Sequence, residues 1–217
     1  MKIVFLGATG MVGSGTLREA LNDIDVETVL SVGRRSCGLV HPKLQELILP
    51  DLFEIGRIED QLSGYDACIW ALGISSAGMK EPEYKRITED LTLLWARTLL
   101  RLNPTFSFCY CSAAGAGGRW MWARVRQRVE NAVQKMQFLH AGAVRPGFIQ
   151  PGPGISSRVR LYQVAIEILR PVFPLGVRLW PSLFTTSERL GRTMLRVVKG
   201  ETNRFILESS DINRLAQ

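Results

Sequence analysis

The residues best suited to chemistry form one cluster near the start of the chain, Gly7-Ala8-Thr9-Gly10-Met11-Val12-Gly13. Glycines at this spacing, between a short apolar run and an amphipathic segment, form a turn that brings backbone N–H groups against a pyrophosphate. Gly7 permits the tight turn, Gly10 lets the backbone approach the phosphates, and Gly13 lets the following helix pack against its strand. Thr9, Met11 and Val12 complete the loop and the first helical turn, whose free N–H groups and partial positive charge suit an anion. The expected chemistry is the binding of a nicotinamide dinucleotide.

A second group of residues bears on which dinucleotide. The end of the next strand ordinarily carries an acid that accepts hydrogen bonds from the adenine ribose 2′-OH and repels a 2′-phosphate. This sequence has Gly33-Arg34-Arg35-Ser36 there. Two guanidiniums favour a 2′-phosphate through charge-assisted bonds, so NADP is the expected cofactor and NAD the alternative. Asp51-Leu52 is placed to meet the adenine edge, and Ala71-Leu72-Gly73 to line the ribose side.

These positions need a scaffold, and the hydrophobic pattern describes one. Ile3 to Leu6 reads as a strand buried on both faces, followed by a helix with Gly13, Leu17, Ala20, Leu21 and Ile24 on one face. Val26–Val32, Leu44–Leu49, Ala67–Leu72, Phe106–Cys111 and Ala141–Val144 read as further strands. Helical spacing marks Glu83–Arg101, through Ile87, Leu91, Leu94, Trp95 and Thr98, and also the stretch from Trp122 to Met136, through Val125, Val129, Ala132 and Val133. Strands alternating with helices imply an α/β fold, a doubly wound parallel sheet of the Rossmann type.

The expectation is a single NAD(P)-binding domain over residues 1–217. Beyond Pro151 the alternation gives way to Pro153, Pro171, Pro174 and Pro181, so residues 151–186 are expected to form a small C-terminal cap or lid. Ser187–Val198 reads as helical again, and Phe205–Leu207 as a last strand.

Composition narrows the class further. The opening apolar run is too short for an export signal, and the longest apolar stretch, Leu161 to Phe184, is broken by charges and prolines. No transmembrane segment is expected, and the reading is a cytoplasmic protein. The net charge is +7, but the basic residues are spread along the chain; Arg119, Arg124, Arg126, Arg128 and Lys135 read as a solvated helix face rather than a nucleic-acid footprint. Cys37, Cys68, Cys109 and Cys111 show no metal-binding spacing, and the histidines are only His41 and His140. Reduced, buried thiols and no metal site are expected.

The glycine spacing, Asp51-Leu52, Ala71-Leu72-Gly73, Ser112 after the fifth strand and Arg145-Pro146-Gly147 after the sixth together resemble the short-chain dehydrogenase/reductases. The closest likeness is to an atypical branch that includes the Tat-interacting-protein-like and epimerase-dehydratase-like NADP-binding proteins, which also carry a Gly-Arg-Arg turn. The resemblance covers the whole chain, with its specificity concentrated in residues 1–150. It implies hydride transfer between a nicotinamide and an alcohol, carbonyl or sugar-like substrate, and it places Pro146 at the cofactor.

The usual apparatus of that family is a Ser or Thr, a Tyr, and a Lys four residues after the Tyr. Ser112 matches the first, and Arg126 stands at the lysine position with a cation able to hold the nicotinamide ribose. Trp122 stands where the tyrosine should be, and an indole N–H cannot act as an acid or base near neutral pH. Its periodicity with Val125 and Val129 places Trp122 in the core; Tyr110 is expected to be buried, and Tyr84 is an alternative acid if it reaches the substrate.

Two functions follow: an NADP-dependent oxidoreductase with a modified site, or a non-catalytic protein that senses NADP(H) and passes its state to a partner. Neither the small-molecule substrate nor a protein partner is specified by the sequence.

Overall fold

A computed structural model describes residues 1–150, 180 and 182–217. Strand β1 (Lys2–Leu6) sits at the centre of the main sheet because Ile3, Val4, Phe5 and Leu6 are all apolar and find cover on both faces. It is flanked on one side by β2 (Thr28–Gly33) and β3 (Leu44–Ile48). On the other side lie β4 (Ala67–Trp70), β5 (Ser107–Cys111), β6 (Ala141–Arg145) and, past two further short strands, β9 (Ile206–Glu208). The order is β3-β2-β1-β4-β5-β6-β9, and every pairing is parallel. This is the doubly wound sheet anticipated from the alternating pattern. The chain reverses its direction of travel across the sheet between β1 and β4, which opens a crevice at their carboxyl ends.

Alternation along the strands divides the core into two layers. Val4, Leu6, Cys68, Trp70, Phe108 and Tyr110 face one side, where α3 (Leu91–Leu102), α4 (Met121–Lys135) and a 3₁₀ segment, Leu52–Gln61, cover them. Ile3, Phe5, Ala67, Ile69, Cys109 and Cys111 face α1 (Met11–Asn22) and α5 (Ser187–Val198) on the other. The short α2 (Glu81–Lys85) runs into α3 through a π turn, Arg86–Asp90. Strands β7 (Phe148–Gln150) and β8 (Phe184–Thr186) pair in parallel as a separate two-stranded sheet, and α6 (Ser209–Leu215) closes the described chain.

Several local readings change. Ile24 lies beyond the end of α1 and is 92% exposed, because the helix stops at Asn22 and the chain turns toward β2. The 3₁₀ segment, the π turn and α6 have no sequence pattern that separates them from loop or regular helix. Residues 151–179 and 181, where most of the expected cap falls, lie outside the described residues.

One buried ion pair ties α4 to the sheet. Arg145 on β6 makes a two-pronged contact with Glu130 on α4, Nη2 to Oε2 at 2.6 Å and Nε to Oε1 at 2.9 Å, and reaches Glu208 as well. Such fork-to-carboxylate bonds fix direction as well as distance. They set the angle of the helix that carries Arg126 and Trp122.

Candidate functional site

The glycine loop is built by contact rather than by conformational preference alone. Gly7 takes φ +97°, and a β-carbon there would lie 2.5 Å from both the carbonyl carbon of Ala71 and the amide nitrogen of Leu72. Only glycine allows β1 to turn so close to the end of β4. A β-carbon on Gly13 would stand 2.0 Å from the Gly7 carbonyl oxygen, so the first turn of α1 packs directly on the loop. Gly10 differs: a β-carbon there would meet only the Gly7 oxygen, at 3.3 Å, and the residue is exposed. The protein's own packing therefore requires glycine at 7 and 13 and leaves the surface over Gly10 open.

Gly10 is the N-cap of α1 and lends no side chain to it, and the first turn carries no acid. The N–H groups of Met11, Val12 and Gly13 are among those a helix start leaves without intrahelical acceptors. With the helix dipole they present a concentrated positive field, worth about 0.3–1 kcal/mol for an anion placed there.

In front of this loop is a cavity of about 620 Å³ at the topological switch point. Its wall is assembled from the carboxyl ends of four strands: Gly7–Gly10 after β1, Ser31–Arg35 at the end of β2, Pro50–Phe53 after β3, and Ala71–Ile74 after β4. Glu83, Arg86, Ile87 and Leu91 close it from the helix beyond β4. The Asp51 side chain caps the 3₁₀ segment by accepting from the Phe53 N–H at 2.9 Å, and Trp95 Nε1 donates to the Leu52 carbonyl at 2.8 Å. Arg34 and Arg35 are exposed and make no ion pair or hydrogen bond among the described residues. Ser36 behaves otherwise: its hydroxyl donates to Glu46 and accepts from the Gly38 N–H, so the turn holds itself in place without using the arginines.

The cavity thus gathers Gly7, Thr9, Gly10, Arg34, Arg35, Asp51, Leu52, Ala71, Leu72 and Gly73. Met11, Val12 and Gly13 stand behind the loop. Pro146 is buried, its carbonyl accepting from the Ala114 N–H at 2.9 Å beneath the segment that follows Ser112.

Ser112 and Arg126 flank the same end of the sheet. The Ser112 backbone N–H donates to the Val144 carbonyl, which fixes the residue just past β5. Its Oγ is buried, and the residue is only 4% exposed and has no side-chain partner among the described residues. Arg126 reaches from α4 to donate from Nε to the Tyr84 hydroxyl at 3.0 Å and from Nη1 to the Cys111 carbonyl at 3.1 Å. Its Nη2 lies 3.5 Å from where a β-carbon on Gly73 would stand, at the cavity wall. No carboxylate pairs with it among the described residues, so a permanent cation is held at the inner end of the cleft by two neutral oxygens.

Tyr84, the alternative acid, is 1% exposed and faces Arg126 rather than the cavity. Tyr110 is enclosed too, its hydroxyl without a partner among the described residues, and burial pushes it well above the usual phenol range. Burial also lifts the Cys111 thiol, to about 11, against the opposing influence of Arg126. Trp122 is not in the core despite its spacing from Val125 and Val129: the ring is half-buried over Gly115 in the loop after β5. Cys37 is half-buried rather than enclosed. Among the described residues no cluster of His, Cys, Asp and Glu could hold a metal ion, and no helix is long and apolar enough to cross a membrane.

The sequence reading missed Phe53 and the wall contributed by Glu83, Arg86, Ile87 and Leu91. Phe53 adjoins the Asp51-Leu52 pair and could have been included by proximity. The others depend on the π turn, which leaves no signature in the sequence.

No protein-family model matches this chain, and no curated protein matches it. Solved structures do share its fold. A short-chain dehydrogenase family protein from Francisella tularensis superimposes with a TM-score of 0.69 at 10% identity, over 95% of each chain. Thermoplasma acidophilum aldohexose dehydrogenase gives 0.71 at 11% identity, over 95% of this chain and 91% of that one. The Bordetella bronchiseptica enzyme WbmH, solved with NAD+, gives 0.65 at 15% identity, over 92% and 72%. These likenesses establish the class of the fold, a Rossmann-like α/β sheet of the kind found in short-chain dehydrogenases.

Proposed function

We propose that this protein is an NADP(H)-binding oxidoreductase of the short-chain dehydrogenase/reductase type whose proton-transfer site lacks the tyrosine acid. The observation that carries the reading is the cavity at the switch point, walled by the glycine loop and bordered by two guanidiniums without partners. The residues present fit a dinucleotide. Gly10 leaves a surface that the protein itself does not fill, above a helix start with no capping side chain. Arg34 and Arg35, unpaired, suit the 2′-phosphate that distinguishes NADP from NAD. The NAD+ held by WbmH, a structure of the same fold, supports a nicotinamide dinucleotide here.

When bound, the nicotinamide supplies or accepts a hydride. Arg126 is the residue that would hold the nicotinamide ribose, since its guanidinium is fixed on two sides and turns Nη2 toward Gly73. Ser112 would orient the substrate oxygen. No described group is placed to give that oxygen a proton: Trp122 has only an N–H of very low acidity, and Tyr84 is enclosed. General acid help is worth about 10²–10⁴-fold in rate, so turnover through Ser112 alone is slow.

The enclosure of Ser112 Oγ favours a second reading, in which the protein binds NADP(H) without turnover and signals its presence to a partner. One experiment separates the two. Wild type and a Trp122→Tyr, Arg126→Lys double variant are mixed with NADPH and a carbonyl panel under single-turnover conditions, with binding measured in parallel. NADPH binding with slow oxidation by some carbonyl in wild type, accelerated in the variant, supports the oxidoreductase. Binding with no oxidation in wild type supports the sensor. Fast oxidation in wild type overturns the idea that the tyrosine is missed, and failure to bind either dinucleotide overturns the reading altogether.

A further inference from the structure

The far wall of the cavity carries a third guanidinium. Arg86 stacks over the Phe53 ring, its guanidinium carbon 4.7 Å from the centroid. It is exposed, lines the cavity, and makes no ion pair or hydrogen bond among the described residues. Phe53 beneath it is held firmly: its N–H donates to Asp51, and Trp95 grips the neighbouring Leu52 carbonyl. An arginine over a ring in this way is a flat cation with one face backed and the other open to a further planar group.

The π turn puts Arg86 there in acceptable company. In an unbroken α-helix Asp90, seven residues after Glu83, would share its face and point at the cavity. The turn from Arg86 to Asp90 inserts one extra residue, so Leu91 lines the wall and Asp90 pairs with Lys85 instead. A carboxylate is thereby kept off the wall beside Arg86.

Resting on the dinucleotide reading above, we infer that Phe53 and Arg86 form a stacking platform for the adenine base, with Asp51 reading its amino edge. Three arguments favour a base over a phosphate. The guanidinium is presented by its face, whereas phosphate recognition uses the N–H edge. Asp51, close by on the same wall, keeps Oδ2 without a partner among the described residues, an acceptor that repels a phosphate and suits an exocyclic amine. The platform also lies at the β3 end of the cleft, beyond Arg34 and Arg35 and away from Arg126.

The test is calorimetric titration of wild type, Arg86→Lys and Phe53→Leu with NADPH, NADH, 5′-AMP and nicotinamide mononucleotide. Lysine keeps the charge and loses the plane; leucine keeps the bulk and loses the ring. Loss of a base-stacking surface costs about fivefold or more in affinity. Both variants are expected to weaken NADPH, NADH and 5′-AMP by a similar factor of that size and to leave the mononucleotide unchanged. Unchanged affinities overturn the inference. So does a loss confined to NADPH, which would make Arg86 a 2′-phosphate ligand, or an equal loss for the mononucleotide, which would make it a general charge effect. If Phe53→Leu proves unstable, the exposed Arg86→Lys decides alone. Failure of wild type to bind any dinucleotide would instead fell the parent reading, and the platform with it.

Discussion

Arg126 on α4 donates its Nε–H to the Tyr84 hydroxyl across 3.0 Å, joining the helix after β5 to the short helix that follows β4. The bond does for the cation what a carboxylate would do elsewhere, without neutralising it. Tyr84 is therefore a positioning residue: it holds the guanidinium where its remaining N–H groups face Gly73.

Tyr84→Phe removes that acceptor and leaves a guanidinium N–H short of a partner. A hydrogen bond to a charged group is worth about 1.5–3 kcal/mol, and Arg126 is only half enclosed, so a loss near the lower end is expected in urea unfolding. NADPH affinity should fall as well, because the cation is no longer held at the cleft. Unaltered stability together with unaltered affinity would show that Tyr84 does not position Arg126.

Gly10→Ala and Gly13→Ala should separate binding from folding. At Gly13 the new methyl would sit 2.0 Å from a backbone oxygen, a clash that neither partner can swing away from. A drop in stability of about 1–3 kcal/mol or more is expected there, with loss of nucleotide binding. At Gly10 the nearest atom is 3.3 Å away, so the melting temperature should hardly move while dinucleotide affinity falls. Equal effects of the two variants on melting would refute the contrast.

Replacing Arg34 and Arg35 together by alanine should abolish any preference for NADPH over NADH, a loss of about 1–3 kcal/mol in NADPH binding, with NADH little affected. Both side chains are exposed and unpaired among the described residues, so the fold should tolerate the change. Parallel calorimetric titrations with the two dinucleotides measure it. No preference in the unmodified protein would defeat the assignment.

The thiols should differ in accessibility and make the protein sensitive to alkali. At pH 8 a thiol reagent is expected to modify Cys37 first, since Cys68, Cys109 and Cys111 are buried. Burial holds Cys111 at about 11, above the unfolded value of 9.0, and raises Cys68 and Cys109 as well. The folded state then keeps protons that the unfolded chain releases, so stability is full below pH 9 and declines as pH rises through 11. Unfolding by urea at pH 8 and pH 10.5 tests the sign. Cys111→Ala should flatten the decline relative to wild type.

Much of this site was legible because it is local. Gly7 and Gly13 lie six residues apart on one turn, and the clash that demands them involves backbone atoms of that same turn and of the adjoining strand. The continuous apolar run from Ile3 to Leu6 can be buried on both faces only at the centre of a parallel sheet, so the element order and the cleft at its carboxyl ends follow from pattern alone. Arg34 and Arg35 stand where the strand ends, and their charge needs no tertiary partner to be noticed.

What the sequence left undetermined depends on contacts between distant segments. Trp122 shares its periodicity with Val125 and Val129, yet it lies over Gly115 because the loop after β5 passes across the start of α4. Whether Tyr84 faces the cavity or Arg126 is settled by how α2 packs on α4, across 42 residues of sequence. The placement of Arg86 against Phe53 needs the extra residue of a π turn, which shifts side chains by a fraction of a helical turn and leaves composition and hydrophobic spacing unchanged. Sequence determines which residues share a strand end, because alternation and turn chemistry act over a few residues. Only the packed structure decides which face of a helix meets the cleft, because that depends on the summed fit of elements far apart in the chain.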